Sequence, residues 1–176
     1  WPGTDWIELS ANQCTLYYTS EDTTVRRYNV CTRSALPDFA SGLTAPYCYA
    51  LRLRPNGELM VACQEAVHRL SAQGANLRTY TRQSIGETEE SGLFALNLDP
   101  DGTSFWTAGL SSGNVFRVGV ESGAVLASFN SGGGGVGGLA VYDELGESDV
   151  LLADGFEGPA PAAAPRSPRV WPVPTW

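Results

Sequence analysis

Short apolar runs recur along this chain, many alternating with polar residues, and turns rich in Gly, Asp, Asn and Ser separate them. The clearest stretch is 93–130. It reads Leu-Phe-Ala-Leu-Asn-Leu, Asp-Pro-Asp-Gly, Thr-Ser-Phe-Trp-Thr-Ala, Gly-Leu-Ser-Ser-Gly, Asn-Val-Phe-Arg-Val, then a Glu-Ser-Gly turn and Ala-Val-Leu-Ala-Ser-Phe-Asn. Four runs parted by three turns leave no room for a helix, which predicts a four-stranded antiparallel meander.

The same unit recurs. Trp6-Ile7-Glu8-Leu9, Ala50-Leu51-Arg52-Leu53, Ala95-Leu96-Asn97-Leu98 and Gly138-Leu139-Ala140-Val141 open successive copies, with Leu9, Leu53, Leu98 and Val141 spaced by 44, 45 and 43 positions. Second strands are expected over 15–19, 58–63, 104–108 and 149–153. Third strands carry the sharpest signature: Val25-Arg26-Arg27-Tyr28, Val67-His68-Arg69-Leu70 and Val115-Phe116-Arg117-Val118. Outer strands are expected around 36–39, 77–80 and 125–129, and the fourth unit stops after two strands. A period near 44 with four strands per repeat predicts an all-β chain of propeller blades. Three are full, at about 4–43, 48–82 and 93–131, and a partial fourth lies at 137–154. No helix longer than two turns is expected before Val141. From Gly155 the pattern fails, and the Pro- and Ala-rich residues 155–176, with Trp171 and Trp176, read as an extended, mostly disordered tail.

The Asp-Pro-Asp-Gly or Pro-Asn-Gly turn and the Val-x-Arg third strand resemble the NHL, YVTN and SMP-30/lactonase-like class of propellers. The runs Phe94 to Ala108 and Asn12 to Ser20 are similar to secreted bacterial propeller proteins. The resemblance covers residues 4–154. It implies an architecture shared by binders, hydrolases and lyases alike, so activity has to be argued from a site. A six-bladed ring at this period needs about half again as many residues, so an incomplete propeller is expected. The start at Trp1 in place of Met reads as a processed product or a fragment.

Composition narrows the function. A net charge of -8 argues against nucleic acid and against an anionic membrane surface. No apolar run approaches the length of a membrane span, and no signal peptide is read.

Cys14, Cys31, Cys48 and Cys63 lie in the first two units, without metal-ligand spacing and with a single histidine in the chain. On the meander, Cys14 begins the second strand of unit one and Cys31 ends the third, so a hairpin sets them opposite each other. Cys48 precedes the first strand of unit two and Cys63 ends the second, brought together by the Pro55-Asn56-Gly57 turn. Of three possible pairings, Cys14–Cys31 with Cys48–Cys63 is the one local to both hairpins; the alternative is four buried free thiols. Disulfides imply an oxidising compartment, extracellular or periplasmic.

Candidate chemistry is sparse. Gly109-Leu-Ser111-Ser-Gly113 matches a serine-hydrolase elbow, but a strand and not a helix is expected after it. His68, the sole histidine, is equivalent to Arg26 and Phe116 and sits on a third strand, away from the axis. Asn97-x-Asp99-x-Asp101-Gly102 imitates a calcium loop, with Ala108 where a bidentate Glu is needed and Pro100 interrupting. The Gly132 to Gly138 run lacks a phosphate-loop ending and reads as a flexible inter-blade link. Glu87, Glu89 and Glu90 read as solvated acids. Arg27, Arg69 and Arg117 are expected to snorkel or to pair between blades. Lactonase-like propellers bind a divalent metal on the axis with acids and amides; here the resemblance points to Glu8 and Asn97, with Arg52 between them disfavouring a metal. No catalytic, cofactor or metal residue is therefore assigned, and no cofactor is expected. The favoured function is a secreted or cell-surface binding or scaffold module with an unknown protein or carbohydrate ligand, the alternative a metal-dependent hydrolase or lyase. Bare flanks on the first and fourth units predict self-association through open blade edges.

Overall fold

The computed structural model describes residues 3–142 and residue 144. Its first sheet holds β1 (Ile7–Leu9), β2 (Thr15–Tyr18), β3 (Val25–Asn29) and β4 (Ser34–Ala40). The second holds β5 (Cys48–Leu53), β6 (Leu59–Cys63), β7 (Ala66–Leu70) and β8 (Asn76–Thr81). The third holds β9 (Leu93–Leu98), β10 (Ser104–Gly109), β11 (Asn114–Gly119) and β12 (Val125–Asn130). Each is an antiparallel meander with its strands in chain order. The registers repeat: Leu9 faces Leu16, Leu53 faces Leu59, and Leu98 faces Phe105.

Strand alternation decides which face each side chain takes. Ala50, Met60, Ala62 and Val67 point to one side of the second sheet and pack on Leu96, Leu98, Phe105 and Phe116 of the third. Their neighbours Leu51, Leu53, Leu59 and Val61 point the other way, toward Val25, Phe39 and Tyr17 of the first. The second sheet is thus covered on both faces. That is why Leu59-Met60-Val61-Ala62-Cys63 is apolar without alternation and buried throughout. Each fully buried Leu or Val of this double interface contributes about 1.5–3 kcal/mol of apolar transfer. The outermost strand β12 is exposed along its whole length.

The joints between sheets are close. Gly74 has φ +84°, and a Cβ there would stand 1.9 Å from the Phe39 carbonyl oxygen of the first sheet. Only glycine satisfies both the left-handed backbone and that approach. Tyr80 Oη donates to the Val120 carbonyl at 2.6 Å, and Arg78 donates to the Ser122 carbonyl at 2.7 Å. Both bonds tie the second sheet to the third.

Between the second and third sheets, α1 (Arg82–Ile85) makes one helical turn, within the two-turn limit expected. The Thr81 hydroxyl caps it by accepting from the Ser84 N–H, and Gly86 ends it in the left-handed region. Ile85 anchors the turn in the core.

Beyond β12 the chain crosses to the open face of the third sheet as the start of a fourth unit. Val136 and Leu139 pack there against Ala95, Ala108 and Val115. Residues 138–141, expected as a strand, carry no strand pairing. Their expected hairpin partner, 149–153, lies outside the described residues. The expected tail 155–176, with Trp171 and Trp176, lies outside them too. The glycine run expected as a loose link is instead partly seated: a Cβ on Gly135 would lie 1.6 Å from the Leu110 carbonyl oxygen.

Candidate functional site

The inner strands β1, β5 and β9 place Glu8, Arg52 and Asn97 at equivalent register positions, each one residue before the leucine that faces the second strand. The structure brings Arg52 and Asn97 together around a residue the sequence did not single out, Glu144. Arg52 Nε donates to Glu144 Oε1 at 2.8 Å. The backbone N–H of Leu98 donates to the same oxygen at 2.8 Å. Asn97 Nδ2 donates to Glu144 Oε2. The second anion, Glu8, stands farther off, its Oε2 3.9 Å from an Arg52 terminal nitrogen. The Trp6 ring lies against the guanidinium, 4.8 Å from ring centre to Cζ.

This cluster is enclosed. The Arg52 side chain is 13% exposed and that of Glu144 22%, while Asn97 is 2% exposed. Asn97 Oδ1 is buried with no hydrogen-bond partner among the described residues. An arginine at the centre supplies the positive charge that a bound cation would otherwise bring, and its fork matches carboxylate geometry. The arrangement can bind a carboxylate; it contains no nucleophile–base pair.

The remaining candidates separate. Asn97, Asp99 and Asp101 do not converge: Asp99 accepts from Trp106 Nε1 at 2.9 Å and Arg117 Nε at 2.6 Å, and Asp101 caps its own turn at Thr103. Burial pulls the Asp99 carboxyl up, but the bonds from Ser104, Trp106 and Arg117 outweigh it and hold the group below its ordinary value. Among the described residues no group of three or more His, Cys, Asp or Glu is placed to hold a metal ion.

Ser111 of the Gly-x-Ser-x-Gly match lies in the turn between β10 and β11. Its neighbour Ser112 donates to Glu87 Oε2 at 2.6 Å. Glu87, expected in solvent, is fully buried. It caps the turn after α1 by accepting the Glu89 N–H at 2.9 Å. His68 is fully buried on β7, with Nδ1 3.2 Å from the Thr79 hydroxyl. Burial pushes its pKa below the ordinary 6.5, so it is neutral at pH 7.

The third-strand arginines pair chiefly within their own sheets. Arg69 meets Glu58 at 2.8 Å and Arg117 meets Asp99 at 2.6 Å. Arg27 donates to the Pro37 carbonyl at 3.0 Å, and Arg69 also reaches a neighbouring blade, at Glu121, 2.7 Å away.

The cysteines form two disulfides, Cys14–Cys31 with Cα atoms 5.2 Å apart and Cys48–Cys63 with Cα atoms 3.8 Å apart. Cys48 falls inside β5, directly opposite Cys63 on β6.

A cavity of about 410 Å³ lies on the open face of the third sheet, walled by Trp106, Val115 and Phe129 and by residues 139–142. Periodicity alone could not mark it, because it forms between a blade face and residues 139–142, which pair in no strand.

Two solved structures share this architecture. The crystal structure of the WD40 beta propeller domain of Doa1 superposes with a TM-score of 0.66 over 80% of this chain and 45% of that one, at 16% identity. The sheets are propeller blades. A chain of the Mitotic Checkpoint Complex superposes with a TM-score of 0.61 at 14% identity, over 76% of this chain and 39% of that one. This chain therefore spans less than half the length of either structure. At such identities the likeness shows the fold and not a repeat subtype, so it decides nothing between the NHL, YVTN and SMP-30 classes. No family model matches the sequence, and no curated protein does.

Proposed function

We propose that this chain is part of a non-catalytic propeller that binds or scaffolds a protein or carbohydrate partner outside the cytosol, in the manner of the NHL and YVTN class. One observation carries the reading: Arg52 stands at the inner-strand level between Glu8 and Asn97, where a metal-dependent propeller would gather its ligands, and it is held there by Glu144. A guanidinium in that place repels a divalent cation and attracts a carboxylate. Two disulfides accord with an oxidising compartment. No helix among the described residues is long and apolar enough to cross a membrane. One similar structure is that of a complex, which favours a protein partner over a small molecule.

The metal-dependent hydrolase or lyase reading is tested by calorimetric titration of the full chain with calcium, magnesium and manganese, beside turnover on a panel of lactones. The expected result is no binding heat and no turnover. Tight stoichiometric calcium binding would overturn the proposal.

A further inference from the structure

The groups around Glu144 are carried by strands that are anchored separately from it. Its three donors come from two blades. Arg52 Nε is carried by β5, and the Leu98 N–H and Asn97 Nδ2 by β9. Both strands are pinned in the core, with Leu51, Leu53, Leu96 and Leu98 at most 2% exposed. The occupant is anchored differently. Glu144 lies outside the twelve described strands, and its own backbone N–H donates to the Val141 carbonyl at 3.2 Å.

A second observation points to a ligand. Asn97 Oδ1 is buried and unpartnered beside the same carboxylate. A buried amide oxygen left without a donor costs about 1–3 kcal/mol. The Glu144 side chain cannot satisfy it, because an ionised carboxylate only accepts. A peptide bearing a glutamate brings both a carboxylate for the donors and backbone N–H groups for Oδ1.

Charge sets the class of anion. Glu8 already faces Arg52 from 3.9 Å, so the site balances one further negative charge and disfavours a phosphate dianion.

We propose that this axial site is a receptor for a glutamate side chain of a partner peptide, and that Glu144 fills it in cis as a displaceable plug. The proposal rests on the binding reading above. Metal binding would sink that reading, whereas a failure of peptide binding sinks this inference alone.

The experiment uses the isotope-labelled full chain as wild type, Glu144→Ala and Glu144→Gln, the last keeping the side chain's size should the alanine variant fold poorly. Each is titrated with acetyl-Ala-Glu-Ala-amide, whose only carboxylate is the side chain, with the Gln counterpart, with acetyl-Ala-Ala-Ala carrying a free C-terminus, and with glucuronate. Leu98 amide and Arg52 Nε–H signals are followed by NMR. The expected result is saturable shifts with the Glu peptide in both variants, at least about tenfold tighter than in wild type. The Gln peptide is expected to bind at least about tenfold more weakly, and adding Arg52→Gln to either variant is expected to abolish saturation. The proposal is overturned by no saturable shift in either variant, by affinity indifferent to Arg52→Gln, or by tighter binding of glucuronate or of the free C-terminus.

Discussion

Tyr80 and Phe129 hold the same register position in successive blades, opposite Val67 and Val115 respectively, yet Tyr80 is 2% exposed and Phe129 55%. The difference is what lies beyond them. Tyr80 packs edge-on against Phe105 of the next blade with ring centres 5.0 Å apart, while Phe129 faces an open side. Tyr80→Ala is therefore expected to cost about 3–4 kcal/mol, from lost packing and an orphaned Val120 carbonyl. Phe129→Ala, at the same position of the repeat, is expected to cost less than about 1 kcal/mol. Urea unfolding of the two variants checks the asymmetry.

The open faces carry a second expectation. Leu9 is 37% exposed where its equivalents Leu53 and Leu98 are covered, and Ile7 beside it is 56% exposed. A hollow of about 370 Å³ bounded by Ile7, Leu16, Tyr18 and Tyr28 marks this flank. Apolar faces of this kind associate. Light scattering across a dilution series is expected to show a mass that rises with concentration, and the double variant Ile7→Ser, Phe129→Ser is expected to suppress it. A sharp monomer at every concentration would contradict the expectation.

Acid sensitivity has a named source. Burial pulls the Glu58 carboxyl up, but hydrogen bonds from Arg69, Asn56 and Arg54 outweigh it and leave it below the ordinary 4.5. A depressed carboxylate stabilises the fold above its unfolded value and ceases to do so as pH falls through the folded one. The Glu58 contribution is thus fully present at pH 7 and is lost below pH 4.5. Glu58→Gln is expected to cost about 2 kcal/mol at pH 7, with the gap to wild type narrowing as pH falls below 4.5. Urea midpoints measured from pH 7 downward follow it.

Strand positions were legible in the sequence because each blade is local. Alternation in Leu96-Asn97-Leu98 and the turns at Gly57 and Gly102 locate strands within a residue or two of where they form. The helical turn at α1 was not, since four residues between two strands show no period; the Thr81 cap and Gly86 stop were its only signals. Glu87 looked like solvated acid because its partner Ser112 lies 25 positions away, in another turn. The axial set was half legible: the repeat aligns Glu8, Arg52 and Asn97, but nothing in the period points to Glu144, which arrives from outside the strands.

The two disulfides differ in access. Cys48 and Cys63 are fully buried, whereas Cys31 is exposed. Under native conditions a mild reductant is expected to open Cys14–Cys31 first and to leave Cys48–Cys63 until the chain unfolds. Timed alkylation with mass spectrometry follows the order, and removal of either bridge is expected to cost about 3 kcal/mol. Recovery of a Cys31–Cys48 peptide in non-reducing mapping would contradict the strand registers.

The central claim is that an arginine–carboxylate pair, and not a cation, organises the blade axis. A double-mutant cycle on Arg52→Gln and Glu144→Gln, read by urea unfolding at pH 7, tests it most directly. The account predicts a coupling of about 1–2 kcal/mol between the two residues, each single variant costing nearly as much as the double. Strictly additive effects, with no coupling, would contradict it.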